Sequence, residues 1–100
     1  MLRCNMSANS LQLQLGLDDL LGDLQCARRG ADLGRLALLA YCEGRRWARM
    51  AGEQELAEHS SHLITHVPHA SREQFLAEVD ALIDELEHVR SRIGEAALQG

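Results

Sequence analysis

The sequence contains no lysine, a single proline and only three aromatic residues. Because proline and β-branched residues are scarce, few positions resist helix formation, and the apolar residues are mostly leucine and alanine, which lose little conformational freedom in a helix. Cysteine occurs three times, an odd number that argues against a disulfide framework and fits free thiols in a reducing cytoplasm. The composition therefore predicts an all-α protein in the cytoplasm.

Long apolar runs and an excess of basic residues are also missing. The longest apolar run, residues 36–42, is far too short to span a bilayer, and the chain turns polar directly after Leu2, where a secretory leader needs an apolar core. The formal net charge is −5, opposite to the basic balance of a typical nucleic-acid-binding domain. We expect neither membrane insertion nor direct contact with nucleic acid.

The N-terminal region combines an aperiodic stretch with an alternating one. Residues 1–10 predict a flexible tail in front of a single helical domain at residues 11–100. The segment LQLQLGL then alternates leucine with other residues, which is typical of a half-buried strand, yet no other segment offers a strand to pair with it. It is either a strand that pairs with its own copy in a homodimer, or a short extended or helical arm on the core. Its leucines are candidates for a contact surface: Leu11, Leu13, Leu15 and Leu17.

Three helices are expected in the middle of the chain. The first starts at Asp18 or Asp19 and ends near Arg29, with Gly30 suited to the left-handed position that follows. A second starts near Asp32 and ends or bends at a glycine, and a third starts at residue 53 and ends before Pro68, because the residue before proline avoids the helical region. The second helix carries a seam of mostly small residues, which lets a neighbour approach closely: Leu33, Ala37, Ala40, Gly44, Trp47 and Ala51.

The last helix has the clearest pattern. Ser71 and Gln74 form a capping box, and a stripe of apolar residues follows with spacings of 4, 3, 4, 3 and 4. The stripe is wide, as in a bundle helix, so we predict a small three- or four-helix bundle with a long C-terminal amphipathic helix. We also interpret the stripe as a surface for a partner or a second copy of the chain: Phe75, Val79, Leu82, Leu86, Val89 and Ile93.

Four of the five histidines lie within residues 59–69. His59, His62 and His66 fall within about 60° of one another on a helical wheel, beside the apolar face. A zinc site needs a third and usually a fourth ligand, and no C-x-x-C or H-E-x-x-H motif supplies them. We therefore interpret the histidines as solvated or at an interface rim, and predict no cofactor. A pH-sensitive contact and a metal site at these three residues are the alternatives.

Charge is divided between two segments. Residues 28–49 carry a local balance of +4, and residues 71–95 carry −4. Either the two neutralise each other within one bundle or across a dimer, or they form charged surfaces that steer a partner. Arginine and an aromatic residue cluster only at Trp47 with Arg45, Arg46 and Arg49, and these residue types are enriched at binding hot spots. We predict Trp47 as a contact residue with the three arginines at its rim.

No catalytic motif is present, so we expect a non-enzymatic module that binds a protein partner and is a homodimer. In length, acidity and amphipathic helices, the region from Asp18 to Ile93 resembles the small bacterial antiactivators, which bind a transcription regulator such as a quorum-sensing receptor. The resemblance is of class and rests on no motif, so it assigns no residues. It implies an inhibitor that blocks oligomerisation or DNA binding by covering the regulator's own interface. A structural adaptor subunit of a larger complex is the other alternative.

Overall fold

The computed structural model describes the backbone of residues 2–66 and 71–99 and the side chains of residues 11–62 and 71–94. Every regular element in these residues is helical. The elements are α1 (Leu2–Arg29), α2 (Leu33–Leu38), a π-helical segment (Leu39–Gly44), α3 (Arg45–Ala51), α4 (Gln54–His66) and α5 (Arg72–Gln99). The chain is a small all-α bundle, as predicted, and carries a long C-terminal amphipathic helix.

The elements α2, the π-helical segment and α3 follow one another without a break, and we call them together the rod, residues 33–51. The rod packs on α1 and α4, and α5 packs on the same two helices. Seen along its axis, the bundle therefore has four corners, with the rod and α5 at opposite ones. The fold is elongated, measuring 49 × 23 × 17 Å.

The first helix starts much earlier than the sequence predicted. It begins at Leu2, so a helix start at Asp18 or Asp19 is wrong, and the backbone of residues 2–10 is helical where a tail was expected. The alternating leucines are helical too, so the strand is wrong. A period of two residues contains a period of four, and a helix can use every second leucine: Leu17 is fully buried and Leu13 packs against the core.

The turn between α1 and the rod differs from the prediction by one residue. Helix α1 ends at Arg29 as expected, but the left-handed residue is Ala31, with φ of 51°, and not Gly30. The Ala31 N–H bonds to the Arg28 carbonyl at 3.1 Å, and the next N–H bonds to the Ala27 carbonyl at 3.0 Å. This is the Schellman pattern, with alanine where glycine is usual.

The other helix ends follow the sequence. The Asp32 side chain accepts a hydrogen bond from the Arg35 N–H at 3.2 Å and caps the rod. Gly52 ends the rod in a left-handed conformation with φ of 76°. The Ser71 Oγ accepts a bond from the Gln74 N–H at 3.1 Å, as the capping box predicted. The predicted boundary at Val67 and Pro68 lies outside the described residues.

Candidate functional site

The apolar stripe of α5 lies inside the protein. All but one of its predicted contact residues are buried, and Ile93 is partly buried against the same core. In this fold the stripe meets α1 and α4 of its own chain, so its interpretation as a partner surface is wrong. The stripe supplies much of the core of the bundle instead: Phe75, Val79, Leu82, Leu86 and Val89.

The other predicted contact residues separate into buried and exposed groups. Leu11 and Leu15 of α1 are 57% and 55% exposed, whereas Leu13 and Leu17 face the core. Trp47 is buried, and its indole Nε1 donates a 2.9 Å hydrogen bond to the Leu13 carbonyl. Trp47 is therefore a core residue, and its prediction as a contact residue for a partner is wrong. It joins the rod to α1, where a Cβ at Gly16 would lie only 3.4 Å from the indole ring.

The buried face of the rod is set by its π-helical segment. Four buried positions are spaced by four residues each, at Leu36, Ala40, Gly44 and Ala48. In a pure α-helix such positions drift by about 40° per step, because four residues exceed one turn of 3.6. A π turn contains more than four residues, so it drifts in the opposite sense and keeps the positions in line. The predicted seam is half right, because its first two and last members are only partly buried.

The same spacing creates a second line of residues on the outside of the rod. Leu38, Cys42, Arg46 and Met50 are all exposed, and we call them the outer ridge. Leu38 is 65% exposed and Met50 is 63% exposed, more than any other large apolar side chains in the described part of the protein. Sequence reasoning missed the ridge, because an α-helical wheel spreads these four positions over about 120°.

Arginines border the ridge at its Met50 end. Arg45 lies over the ring of Tyr41, with its guanidinium carbon 4.9 Å from the ring centroid, and donates a 3.0 Å bond to the phenolic oxygen. Arg46 and Arg49 are exposed, and neither forms an ion pair with a described residue. These side chains surround an open depression of about 390 Å³, which is lined by Tyr41, Cys42, Arg45, Arg46, Arg49 and Met50.

The Leu38 end of the ridge has a different border. A second depression, of about 610 Å³, lies between the rod and α1. Leu38 and Cys42 line it together with three acidic residues and one arginine: Asp19, Asp23, Glu43 and Arg35. The ridge is thus flanked by acidic groups at its first residue and by basic groups at its last.

The ion pairs between helices mostly involve α1 and α5. Arg28 makes a two-bond contact with Asp80 at 2.7 and 3.1 Å, which raises the pKa of Arg28 above its ordinary value through the hydrogen bond. Arg90 pairs with Asp18 at 2.6 Å, and Arg92 of α5 pairs with Glu53 at 3.1 Å. Among the described side chains, Arg28 is the only residue of the basic segment that forms an ion pair with the acidic segment. Ion pairs between the basic and acidic segments therefore leave the arginines of the rod available for other contacts.

The histidine cluster is divided by the structure. His59 lies between two carboxylates of α5, with Nδ1 3.3 Å from Glu85 and Nε2 3.7 Å from Glu78. His62 is exposed, and the side chains of His66 and His69 lie outside the described part. No group of three or more histidine, cysteine, aspartate or glutamate side chains that could hold a metal ion occurs in the described residues. Cys26 and Cys42 are exposed free thiols.

Comparison with known proteins gives no identification. No protein-family model matches the chain, and no curated protein or solved structure is significantly similar to it. Among the described residues, no helix combines the length and apolar character required to cross a bilayer. The outer ridge and its surroundings are therefore the features of the structure that bear on function.

Proposed function

We propose that the protein is a non-enzymatic regulatory module of the cytoplasm that binds a protein partner through the outer ridge. The observation that carries the proposal is the exposure of Leu38 and Met50, at 65% and 63%, in one line with Arg46. Single exposed leucines are common on protein surfaces and require no explanation. Here two large apolar side chains share a line with an arginine that has no ion pair among the described residues, and arginine is one of the residue types enriched at binding hot spots.

Burial of the ridge by a partner is favourable. Complete burial of a leucine or methionine side chain contributes about 1.5–3 kcal/mol, and most of the surface of Leu38 and Met50 is still exposed to water. Arg45 is already held against Tyr41, so it loses little conformational freedom when a partner binds. The π-helical segment supports the proposal further, because such segments occur frequently at functional sites.

The proposed mechanism is occlusion. A partner that assembles through an apolar surface, such as a transcription regulator, loses that surface when the ridge covers it, and its oligomerisation or DNA binding stops. The net charge of −5 favours action on the protein rather than on its DNA. A homodimer is also part of the proposal, and we assign its contact to Leu11 and Leu15, the other exposed large apolar pair.

Affinity capture from a lysate of the source cells tests the proposal. The tagged protein is compared with Leu38→Glu on the ridge and with Ala81→Glu, which adds the same charge at an exposed position of α5. We expect the protein and Ala81→Glu to capture the same partner and Leu38→Glu to lose it. Capture that is equal for all three, or no capture by the unaltered protein, contradicts the proposal. Light scattering on Leu15→Glu tests the homodimer separately, because an unchanged mass excludes that contact.

A further inference from the structure

The distribution of charge restricts what can cover the outer ridge. The whole chain carries −5, yet the half of the ridge that ends at Met50 is bordered by Arg45, Arg46 and Arg49. Acidic residues nearest the ridge line the depression at the Leu38 end. The depression at the Met50 end is lined by three arginines and by no acidic side chain, so a ligand that places negative charge over it is attracted, whereas a basic ligand is repelled.

The shape of the ridge favours one kind of secondary structure. From Leu38 to Met50 the ridge follows one side of the uninterrupted rod for about 18 Å, at 1.5 Å per residue. A line of this length matches three to four turns of a second helix, which presents its own apolar side chains at i, i+4 and i+7. The two depressions beside the ridge receive the side chains that flank such an apolar line.

We infer that the outer ridge docks an acidic amphipathic helix of a partner protein. This inference rests on the proposed function and specifies the partner. Apolar residues of the incoming helix cover Leu38, Cys42 and Met50, and its carboxylates pair with Arg46 and Arg49. Arginine binds a carboxylate through two parallel hydrogen bonds, so these contacts fix the orientation of the helix as well as its charge.

A second copy of this chain can bind in two ways. Two ridges packed antiparallel about a two-fold axis place the acidic Leu38 end of one over the basic Met50 end of the other, so a salt-sensitive dimer of the protein alone that Arg46→Glu abolishes overturns the inference. In the other way, the second copy contributes its α5. Its acidic surface lies on α5, with exposed Glu73, Asp84 and Glu87, and α5 occupies the corner of the bundle opposite the rod. Docking α5 of one copy on the ridge of another leaves a free ridge at one end and a free α5 at the other. Such a head-to-tail contact extends into open chains rather than a closed dimer.

Nucleic acid fits the chemistry of the structure less well. Phosphates attract arginine, but a duplex offers no apolar surface to Leu38 and Met50, which lie in the same line as Arg46. The remainder of the chain is acidic and repels a polyanion over distances comparable to the Debye length.

Fluorescence anisotropy with designed peptides tests the inference on the full-length protein. The probe is a fluorescein-labelled helical peptide of about 15 residues with leucines at i, i+4, i+7 and i+11, and its glutamates flank only the half of the leucine line that is to cover the Met50 end. Its counterpart replaces every glutamate with lysine, and a scrambled peptide keeps the composition of the acidic probe. A labelled DNA duplex is the fourth probe. The variants are Leu38→Gln and the double charge reversal Arg46→Glu with Arg49→Glu, both at exposed positions.

We expect the acidic helix to bind about tenfold or more tightly than the lysine counterpart and the scrambled peptide, and to bind more weakly as salt increases. The charge reversal should invert the preference between the two charged helices, and Leu38→Gln should weaken binding of the acidic helix several-fold. Circular dichroism confirms that both variants are folded.

Four results overturn the inference. They are equal binding of the acidic and lysine helices, equal binding of the scrambled peptide, an unchanged preference after charge reversal, and tighter binding of the DNA duplex. Growth of the protein alone into large, salt-sensitive assemblies that Arg46→Glu abolishes identifies a second copy as the occupant and also overturns it. Each result leaves the capture experiment with Leu38→Glu unaffected, so failure of this inference is distinguishable from failure of the proposed function.

Discussion

Helix α5 and the rod are both amphipathic, but they use their apolar residues differently. In α5 the stripe is spaced by 4 and 3 residues in turn, and its members are buried or partly buried in the bundle. In the rod four of the six buried residues are spaced by four, through a π turn, and two large apolar residues remain exposed on the other side. The regular helix contributes its apolar face to the core, and the irregular one also keeps the exposed surface that we propose binds a partner.

The two helices also differ in how completely their caps, charges and buried polar contacts are satisfied by neighbouring groups. The start of α5 is capped by Ser71, and its ion pairs reach α1 and the start of α4. The rod begins after the left-handed Ala31 and packs Gly44 against Ser60, whose buried hydroxyl has no hydrogen-bond partner in the described part of the protein. Within the described residues, the one left-handed residue other than glycine and the one buried unpaired side-chain group therefore both lie next to the rod.

The largest expected effect separates the two helices directly. Leu82 is fully buried in the middle of α5, so Leu82→Ala should lower the free energy of unfolding by about 2–5 kcal/mol through lost contacts and a cavity. Leu38→Ala makes the same chemical change on the outer ridge, where the side chain is 65% exposed, and should change stability by less than about 0.5 kcal/mol. Urea denaturation followed by circular dichroism measures both. Similar losses of stability for the two variants would show that Leu38 is part of the core. They would contradict the difference between α5 and the rod.

The next effect concerns the contact that accompanies the π turn. Gly44 has an ordinary helical φ of −63°, so its backbone does not require glycine. The space around Gly44 favours glycine instead, because an added Cβ would lie 3.2 Å from the Ser60 Oγ. Gly44→Ala should therefore destabilise the fold by about 1–3 kcal/mol, in spite of the better helix propensity of alanine.

Two controls make the Gly44 experiment specific. Gly22 lies within α1 with nothing near its added Cβ, so Gly22→Ala should stabilise by about 0.5–1 kcal/mol. Ser60→Ala removes the Oγ and leaves only the Ser60 Cβ, 3.9 Å from the added carbon, so it should restore most of the stability lost in Gly44→Ala. If the double variant is no better than Gly44→Ala, the close approach of the rod and α4 is not at Ser60.

A smaller effect is expected from Ser60 alone. Its side chain is fully buried with an unpaired hydroxyl, which costs free energy because water no longer solvates it. Ser60→Ala should raise the free energy of unfolding by about 1 kcal/mol more than Ser91→Ala, which makes the same change at an exposed position of α5. Thermal denaturation of the two variants measures the difference. A loss of stability in Ser60→Ala would indicate a bound water that satisfies the hydroxyl.

The sequence predicts α5 more fully than the rod, because α5 is regular and the rod is not. Helix α5 was predicted with its cap and its stripe, because each turn repeats one pattern. The rod was predicted in its limits and in three of its buried residues, Ala40, Gly44 and Trp47, but its other buried positions were missed because no residue type marks a π turn. The π turn places Gly44 against Ser60 of α4, which is a tertiary contact that local sequence does not indicate.

The interaction surface was predicted less well than the fold, for a related reason. An apolar stripe shows that a helix face is covered, but not whether the cover belongs to the same chain. Phe75 and Leu82 were therefore assigned to a partner, although α1 and α4 cover them. The alternating leucines were ambiguous in another way. A period of two residues fits a strand, and it also fits a helix in which every second leucine repeats with a period of four. Only the neighbouring elements decide between them.

The smallest predicted effect lies where the chain enters the rod. Ala31 is left-handed, with φ of 51°, and a residue with a Cβ pays about 1–2 kcal/mol for that conformation. Ala31→Gly should therefore stabilise the protein by about 0.5–1 kcal/mol, after allowance for the greater freedom of glycine in the unfolded chain. Gly30→Ala is the matched control, because its added Cβ would lie 3.8 Å from the nearest carbonyl oxygen, and it should be neutral or slightly stabilising.

Combining the two changes moves the glycine to the left-handed position. The gains should add approximately in a melting curve, although adjacent residues can couple by a few tenths of a kcal/mol. A loss of stability in Ala31→Gly would contradict the left-handed turn and would move the start of the rod. If the gain is observed while the peptide affinity of the outer ridge is unchanged, the strain before the rod is unrelated to binding. If the affinity falls as stability rises, the strained turn holds the ridge in its binding position, and the contrast between the rod and α5 extends to their first turns.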